Sequence, residues 1–260
     1  MKNPSSRIHP ELRESAKKSV KFDFGRKNLW LINLIMRLIP SPTTIDGITA
    51  ENIVINEPKG TSKLRLRLYS SPSSHSPAPL LLWMHGGGNV MGRPELDDQL
   101  CAHYVRETGV MVISVDYRLA PRYPFPSGLD DCERALRWAI ERSEELGIDA
   151  SRIAIGGVSA GGGLAAALVQ RLHDQSDIRP ALQLLIYPML DDRTTLREDL
   201  TEVSSLVWSQ NSNRYAWKAY LGKAYETEQL PPYAVPGRRA DLSGLPTTGI
   251  GVGSLDLFYR

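Results

Sequence analysis

Two hydrophobic rhythms run along this chain, and the change from one to the other outlines a fold. In ENIVINEP (51–58) and KLRLRLYS (63–70), apolar and polar residues alternate one by one. A period of two puts apolar side chains on one face of a strand, so these segments predict an antiparallel pair with one wet face. SSPSSHSPAP (70–79) is rich in turn formers and predicts a loop. Beyond it the strands become continuously apolar: LLLWM (80–84), VMVISVDY (110–117), IAIGG (153–157), LQLLIYP (182–188) and GIGVG (249–253). Such runs suit strands covered on both faces, as in a parallel sheet. Helical spacing lies between them, at 95–108, 128–146 and about 160–174. The second of these carries Asp130, Asp131 and Glu133 near the positive end of its dipole. Strand and helix in alternation predict an α/β domain: a mostly parallel twisted sheet with right-handed crossovers and helices on both faces.

Two segments break the alternation. LWLINLIMRLI (29–39) is the most hydrophobic run, interrupted by Asn33 and Arg37 and too short to span a bilayer. Leu31, Leu34, Ile35 and Leu38 fall on one helical face. That predicts a buried or lid-forming amphipathic helix, with attachment to a membrane surface as the alternative. Residues 191–235, rich in Trp, Tyr and Asn, predict an insertion carrying helices over one end of the sheet. The expectation is a single domain over 1–260 with a small helical lid from about 1–45 and 191–235.

Charge and cysteine content remove several function classes. With 31 basic and 29 acidic side chains the net charge is +2, which gives no argument for nucleic acid or an anionic membrane. A basic cluster (Lys17, Lys18, Lys21, Arg26, Lys27) predicts a solvated helix face. Cys101 and Cys132 show neither CxxC spacing nor paired histidines. They predict two buried or half-buried thiols in a reducing compartment, with no metal site. The first eighteen residues, MKNPSSRIHPELRESAKK, have no apolar core after their positive charges, so no secretory signal is read. A cytoplasmic protein without stable membrane insertion is expected.

Two glycine-rich stretches carry the candidate chemistry. Gly157-Val158-Ser159-Ala160-Gly161 fits G-x-S-x-G, after a predicted buried strand and before a helix of small residues. That context suits a serine on a tight strand-to-helix turn, where side chains two residues to either side would collide. A capping serine on a glycine-rich turn is the plainer reading. His85-Gly86-Gly87-Gly88 follows the strand LLLWM. Consecutive glycines leave backbone N–H groups open to an anionic oxygen. A flexible loop or a phosphate cradle is the alternative. No GK[ST] follows and no GxGxxG is present, which disfavours a nucleotide.

Taken together, HGGG (85–88), DYRLAPRYPFP (116–126), GVSAGG (157–162), YPMLDDR (187–193) and VGSLDLF (252–258) give a resemblance. The chain resembles the bacterial esterases of the hormone-sensitive-lipase family, within the α/β-hydrolase fold. The resemblance implies hydrolysis of small-molecule carboxylic esters, usually with short or medium acyl chains, without a cofactor. It implies Ser159 as nucleophile and Asp256 as triad acid. It implies an oxyanion hole from the amides of Gly87, Gly88 and Ala160, with Gly86 shaping the same loop. One departure is Val158, where the family often carries an acidic residue.

The family's order is serine, acid, histidine. Only Leu257, Phe258, Tyr259 and Arg260 follow Asp256. The expectation is therefore a chain shortened before the catalytic histidine, with the last strand and helix of the fold missing and little activity as written. Of the five histidines, His9 and His75 lie in polar segments and His103 in a predicted helix. His173 is fourteen residues beyond Ser159 along one helix, roughly 20 Å away. His85 is expected to fix the glycine loop by hydrogen bonding. Asp116 is expected to brace that loop's surroundings, and Asp191 and Asp192 to serve loops or caps. A shortened sheet also predicts an open edge at GIGVG and an uncovered apolar face, hence poor solubility or a homo-oligomer. A non-catalytic small-molecule binding protein on the same fold is the alternative function.

Overall fold

The computed structural model describes residues 8–14, 26–56, 63–72, 76–199, 207–225, 227 and 229–259. His75, Lys17, Lys18, Lys21 and parts of both expected lid segments lie outside the described residues, and of Arg26 and Lys27 only the backbone is described. Eight strands form one sheet in the order β1-β2-β3-β5-β4-β6-β7-β8. β1 (Thr44–Ile45), β2 (Ile48–Asn56) and β3 (Lys63–Ser70) are antiparallel neighbours, and β3 runs antiparallel to β5 (Met111–Val115). β4 (Ala78–Met84), β5, β6 (Ile148–Val158), β7 (Leu182–Ile186) and β8 (Thr247–Gly251) are parallel. Alternating residues thus gave the antiparallel strands and continuous apolar runs the parallel ones. β4 is buried along nearly its whole length because β5 and β6 flank it and helices cover both faces.

Six helices accompany the sheet among the described residues: α1 (Arg26–Met36), α2 (Asp98–Thr108), α3 (Ser127–Glu141), α4 (Ser143–Leu146), α5 (Ala160–Gln175) and α6 (Gln210–Leu221). The stretch 128–146, expected as one helix, is two, because the backbone leaves helical angles at Arg142 (φ −111°, ψ 21°). Leu129, Ala135 and Leu136 of α3 and Leu164, Leu168 and Leu172 of α5 share one core with Leu80, Leu82, Ile113 and Ile155 of the sheet. Cys101, Ala102 and Val105 of α2 pack with Tyr69, Trp83 and Val112 on the other face. Cys101 and Cys132 are both buried free thiols, and burial pushes both well above the usual thiol range. β8 is bonded on one side only, to β7, and Ile250 is 57% exposed. Among the described residues it is a sheet edge.

Two expectations are corrected by packing. The polar face of β3 is not wet. Arg67 is fully buried and bonded to Asp98 (Nε–Oδ1 2.8 Å), while Arg65 is bonded to Glu95 and Asp116. Chain segments 41–42 and 93–98 cross that face and supply its acceptors. The second correction concerns α1. Leu31, Leu34, Ile35 and Leu38, the face expected of a buried or lid-forming helix, are exposed, and Leu29, Ile32 and Met36 pack against the core instead. Polar Asn33 lies on the inward side because its amide finds the carbonyl of Val90 (3.0 Å).

The strand order reverses at β4: the chain passes from β4 to β5 on one side, then to β6 on the other. In open α/β sheets a crevice opens at such a point, outside the carboxyl ends of the strands. The loop after β4 and the turn after β6 both lie there.

Candidate active site

Nothing but Ser159 separates β6 from α5, so one residue must turn the chain from strand to helix. It does so at φ 55° and ψ −118°, a region that side chains rarely occupy and that costs about 1–3 kcal/mol. The surroundings hold it there. Its N–H donates to Ile186 O (2.9 Å), and its carbonyl accepts from Gly163 N (3.1 Å) and Met189 N (2.9 Å). The backbone is satisfied, and the half-buried hydroxyl has no hydrogen-bond partner among the described residues. The flanking glycines have the steric reason expected of them. A Cβ on Gly161 would run into the carbonyl of Met84, and one on Gly157 into the backbone of Gly161. Ala160 opens α5, whose sixteen residues place a positive dipole end, equivalent to about half a charge, beside the serine.

The loop after β4 is drawn against this turn. A Cβ on Gly86 would lie 3.6 Å from Ser159 Cβ and 3.4 Å from Val158 Cγ1. Gly87 (φ 121°) closes the loop by accepting from Val90 N (3.1 Å) and Met91 N (3.0 Å). Gly88 (φ 62°) sits under the indole of Trp208, and a Cβ there would come within 2.6 Å of Cζ2. The N–H groups of Gly86, Gly87, Gly88 and Ala160 donate to no acceptor among the described residues. His85 is fully buried, donates from Nδ1 to Gly86 O (2.7 Å) and stacks on Tyr117, whose hydroxyl donates to His85 O (2.8 Å). Burial pushes its pKa down, so the ring is neutral. It braces the loop as expected, and its Nε2 has no partner among the described residues.

Asp256 lies five residues beyond β8, at the same edge of the sheet. Its N–H donates to Gly253 O (2.9 Å), and its Oδ1 accepts from Phe258 N (2.8 Å). Burial holds the carboxyl above its usual range, against the Phe258 amide and the charge of Arg197. Arg197 also ties the segment down through the carbonyls of Leu257 (2.6 Å) and Tyr259 (3.0 Å). The end of β7 lies between acid and serine: Ile186 O receives the Ser159 amide, and Tyr187 N donates to Gly251 O (2.6 Å). The glycine loop and serine are thus brought into contact, whereas no hydrogen bond joins Asp256 to a histidine among the described residues. His9 is exposed near Glu11, and His103 is bonded to Arg106. His173 lies near the end of α5, against Gly244. Asp116 binds Arg65, Asp191 caps a turn through Arg193 N (2.8 Å), and Asp192 pairs with Arg238. No group of metal-ligating side chains occurs among the described residues. Sequence reasoning missed Trp208, Tyr117 and Arg197. Each acts across a separation of residues that no local pattern encodes.

Residues 81–260 match the family described by its alpha/beta hydrolase fold. The chain is 31% identical over 223 residues to the esterase LipI of Mycobacterium tuberculosis, covering 85% of this chain and 69% of that protein. It is 34% identical over 199 residues to the carboxylesterase NlhH of the same species, covering 76% of this chain and 62% of that one. Among solved structures, a bacterial heroin esterase superposes with a TM-score of 0.85 at 33% identity, over 99% of this chain and 83% of that one. The chain belongs to the alpha/beta hydrolase family and is carboxylesterase-like, as its motifs implied. It spans about two thirds of the length of these two curated relatives.

Proposed function

We propose that this chain carries the nucleophile, oxyanion donors and acid of a carboxylic-ester hydrolase acting on small-molecule esters. Ser159 Oγ attacks the acyl carbon, and the alcohol leaves as the tetrahedral intermediate collapses. Amides of Gly87, Gly88 and Ala160 donate to the oxyanion, while Gly86 and His85 set the loop's shape. Asp256 orients an imidazole that takes the serine's proton and passes it to the leaving alkoxide; a water, deprotonated by the same base, then attacks the acyl-serine and releases the carboxylic acid. The observation that carries this reading is the glycine loop lying against Ser159 with its amides donating to no acceptor among the described residues. Such donors are commonly the largest electrostatic contribution to acyl transfer. The imidazole itself is not among residues 257–260, and no described histidine bonds to Ser159. In a serine hydrolase, loss of that base lowers turnover about 10⁶-fold, leaving roughly 10³–10⁴ over water. The proposed setting is the cytoplasm, where two buried thiols stay reduced.

The test is hydrolysis of p-nitrophenyl butyrate by purified 1–260, with and without added imidazole. Turnover near background is expected alone, with imidazole raising it, above the rate that imidazole gives without protein, in the native chain but not in Ser159→Ala. Fast turnover without imidazole, lost in Ser159→Ala, places the base inside the chain. Equal stimulation in Ser159→Ala, above the protein-free imidazole rate, removes the nucleophile assignment. Saturable ester binding with no hydrolysis under either condition favours a binding protein.

A further inference from the structure

We propose that α1 docks this protein on an anionic lipid bilayer, lying in the membrane surface through the apolar face that the core leaves uncovered. The inference is independent of the ester chemistry. At about 100° per residue, Trp30, Leu34, Leu38, Leu31 and Ile35 occupy one arc of the helix and its final turn, while Leu29, Ile32, Asn33 and Met36 occupy the opposite arc. The second arc is used: Leu29 is buried in the core, and Asn33 donates to Val90 O. The first is not. Trp30 is 65% exposed, Leu31 44%, Leu34 48%, Ile35 55% and Leu38 77%. Five neighbouring apolar residues turned to solvent form an interaction surface rather than the scattered exposure of ordinary surfaces.

Charge selects the occupant. From Phe24 to Ile45 the sequence carries Arg26, Lys27 and Arg37 and no acidic residue. Arg37 is exposed and follows Trp30 by seven residues, so it borders the apolar arc. Below the helix a cleft of about 690 Å³ is walled by Trp30, Leu34 and Arg37 on one side and Arg122 on another. Arg122 is exposed too, its guanidinium over the Tyr123 ring at 5.2 Å. Neither Arg37 nor Arg122 forms an ion pair among the described residues, and the acidic residue lining the cleft, Asp116, is held by Arg65. An apolar stripe with a tryptophan, bordered by unpaired cations, is the pattern of an interfacial helix on anionic lipid. A second copy of the chain fits worse, since pairing two such faces sets arginine against arginine. Eleven residues cannot cross a bilayer, and no described helix is long and apolar enough to do so. The end of α1 is tied to the fold: Arg93 Nη1 donates to the carbonyl of Met36 (3.0 Å), the helix's last residue, and to that of Ile39 just beyond it (3.4 Å).

The test is co-sedimentation of the full chain with vesicles of phosphatidylcholine, with or without phosphatidylglycerol. Partition onto the anionic vesicles is expected to exceed that onto neutral ones by at least about tenfold and to fall with added salt. Leu34→Ser/Ile35→Ser and Arg37→Gln/Arg122→Gln should each lower it about tenfold, with unchanged thermal unfolding, because all four side chains are exposed. Brominated lipid should quench the native chain's fluorescence and spare Trp30→Phe, a readout that stands even if a double variant fails to fold. Equal partition onto both vesicles, no binding, or no quenching of the native chain overturns the proposal. So does a dimer that Leu34→Ser/Ile35→Ser dissociates while vesicles remain unbound.

Discussion

The segment from His85 to Asp98 is held by backbone in its first half and by charged side chains in its second. In the first half, glycines bring main chain against main chain, and among the described residues the amides of Gly86, Gly87 and Gly88 have no acceptor beside Ser159. In the second half, Glu95 accepts from Arg65, Arg93 and Ser41, and Asp98 accepts from Arg67 and Tyr69. The contrast follows from what each half can do. A donor meant for a ligand has to be left open, so its position must come from close backbone packing. A buried guanidinium left open would cost several kcal/mol, so every one of its partners is built in.

The largest effect expected is on the charged half. Asp98→Ala strands the buried guanidinium of Arg67 and should lower unfolding free energy by about 3–5 kcal/mol in a urea titration. Replacing both residues, Arg67→Met with Asp98→Leu, should recover most of that loss; no recovery would mean the pair is more than a satisfied charge. The serine turn that the open half packs against should respond with the opposite sign and less strongly. Ser159→Gly relieves a strained backbone and should stabilise the fold by about 1 kcal/mol while abolishing any acylation. A destabilised variant would show that the Ser159 conformation is not strained. The finest distinction is in slope. Arg65 and Arg93 hold the Glu95 carboxyl far below its usual value near 4.5, against the opposing effect of burial. Its contribution is therefore full above that value and lost as pH falls towards the lowered one. Glu95→Gln should flatten the acid limb of stability measured against pH and leave the Ser159 region's response unchanged. An identical acid limb in both proteins would assign the pH dependence elsewhere.

Much of this arrangement is legible in residue order. Glycines at 157 and 161 announce a turn too tight for side chains, and a Cβ at either would strike backbone. Period-two alternation in 63–70 gave β3 its correct bounds. The same alternation misjudged Arg67, because whether a strand's polar face is wet depends on what crosses it, and residues 41–42 and 93–98 do so from elsewhere in the chain. The apolar arc of α1 is legible as an arc, but its spacing leaves open a buried, lid-forming or membrane-surface helix, and the structure turns it to solvent. Periodicity gives a face its polarity; it does not say which way the face points. On the inward side Asn33, a polar interruption in the sequence, donates to Val90 O, while Leu29, Ile32 and Met36 pack against the core.

By itself, then, the order of residues determined the elements, the parallel sheet and the two glycine turns, because propensity, period and steric exclusion are local. Tertiary structure alone decided that strand order reverses at β4 and sets the Gly86 loop on Ser159. It alone decided that Trp208 covers Gly88 and that α1 turns its leucines to solvent. Those are contacts between segments tens of residues apart. Their free energy depends on which surfaces meet, and no window of sequence contains both partners.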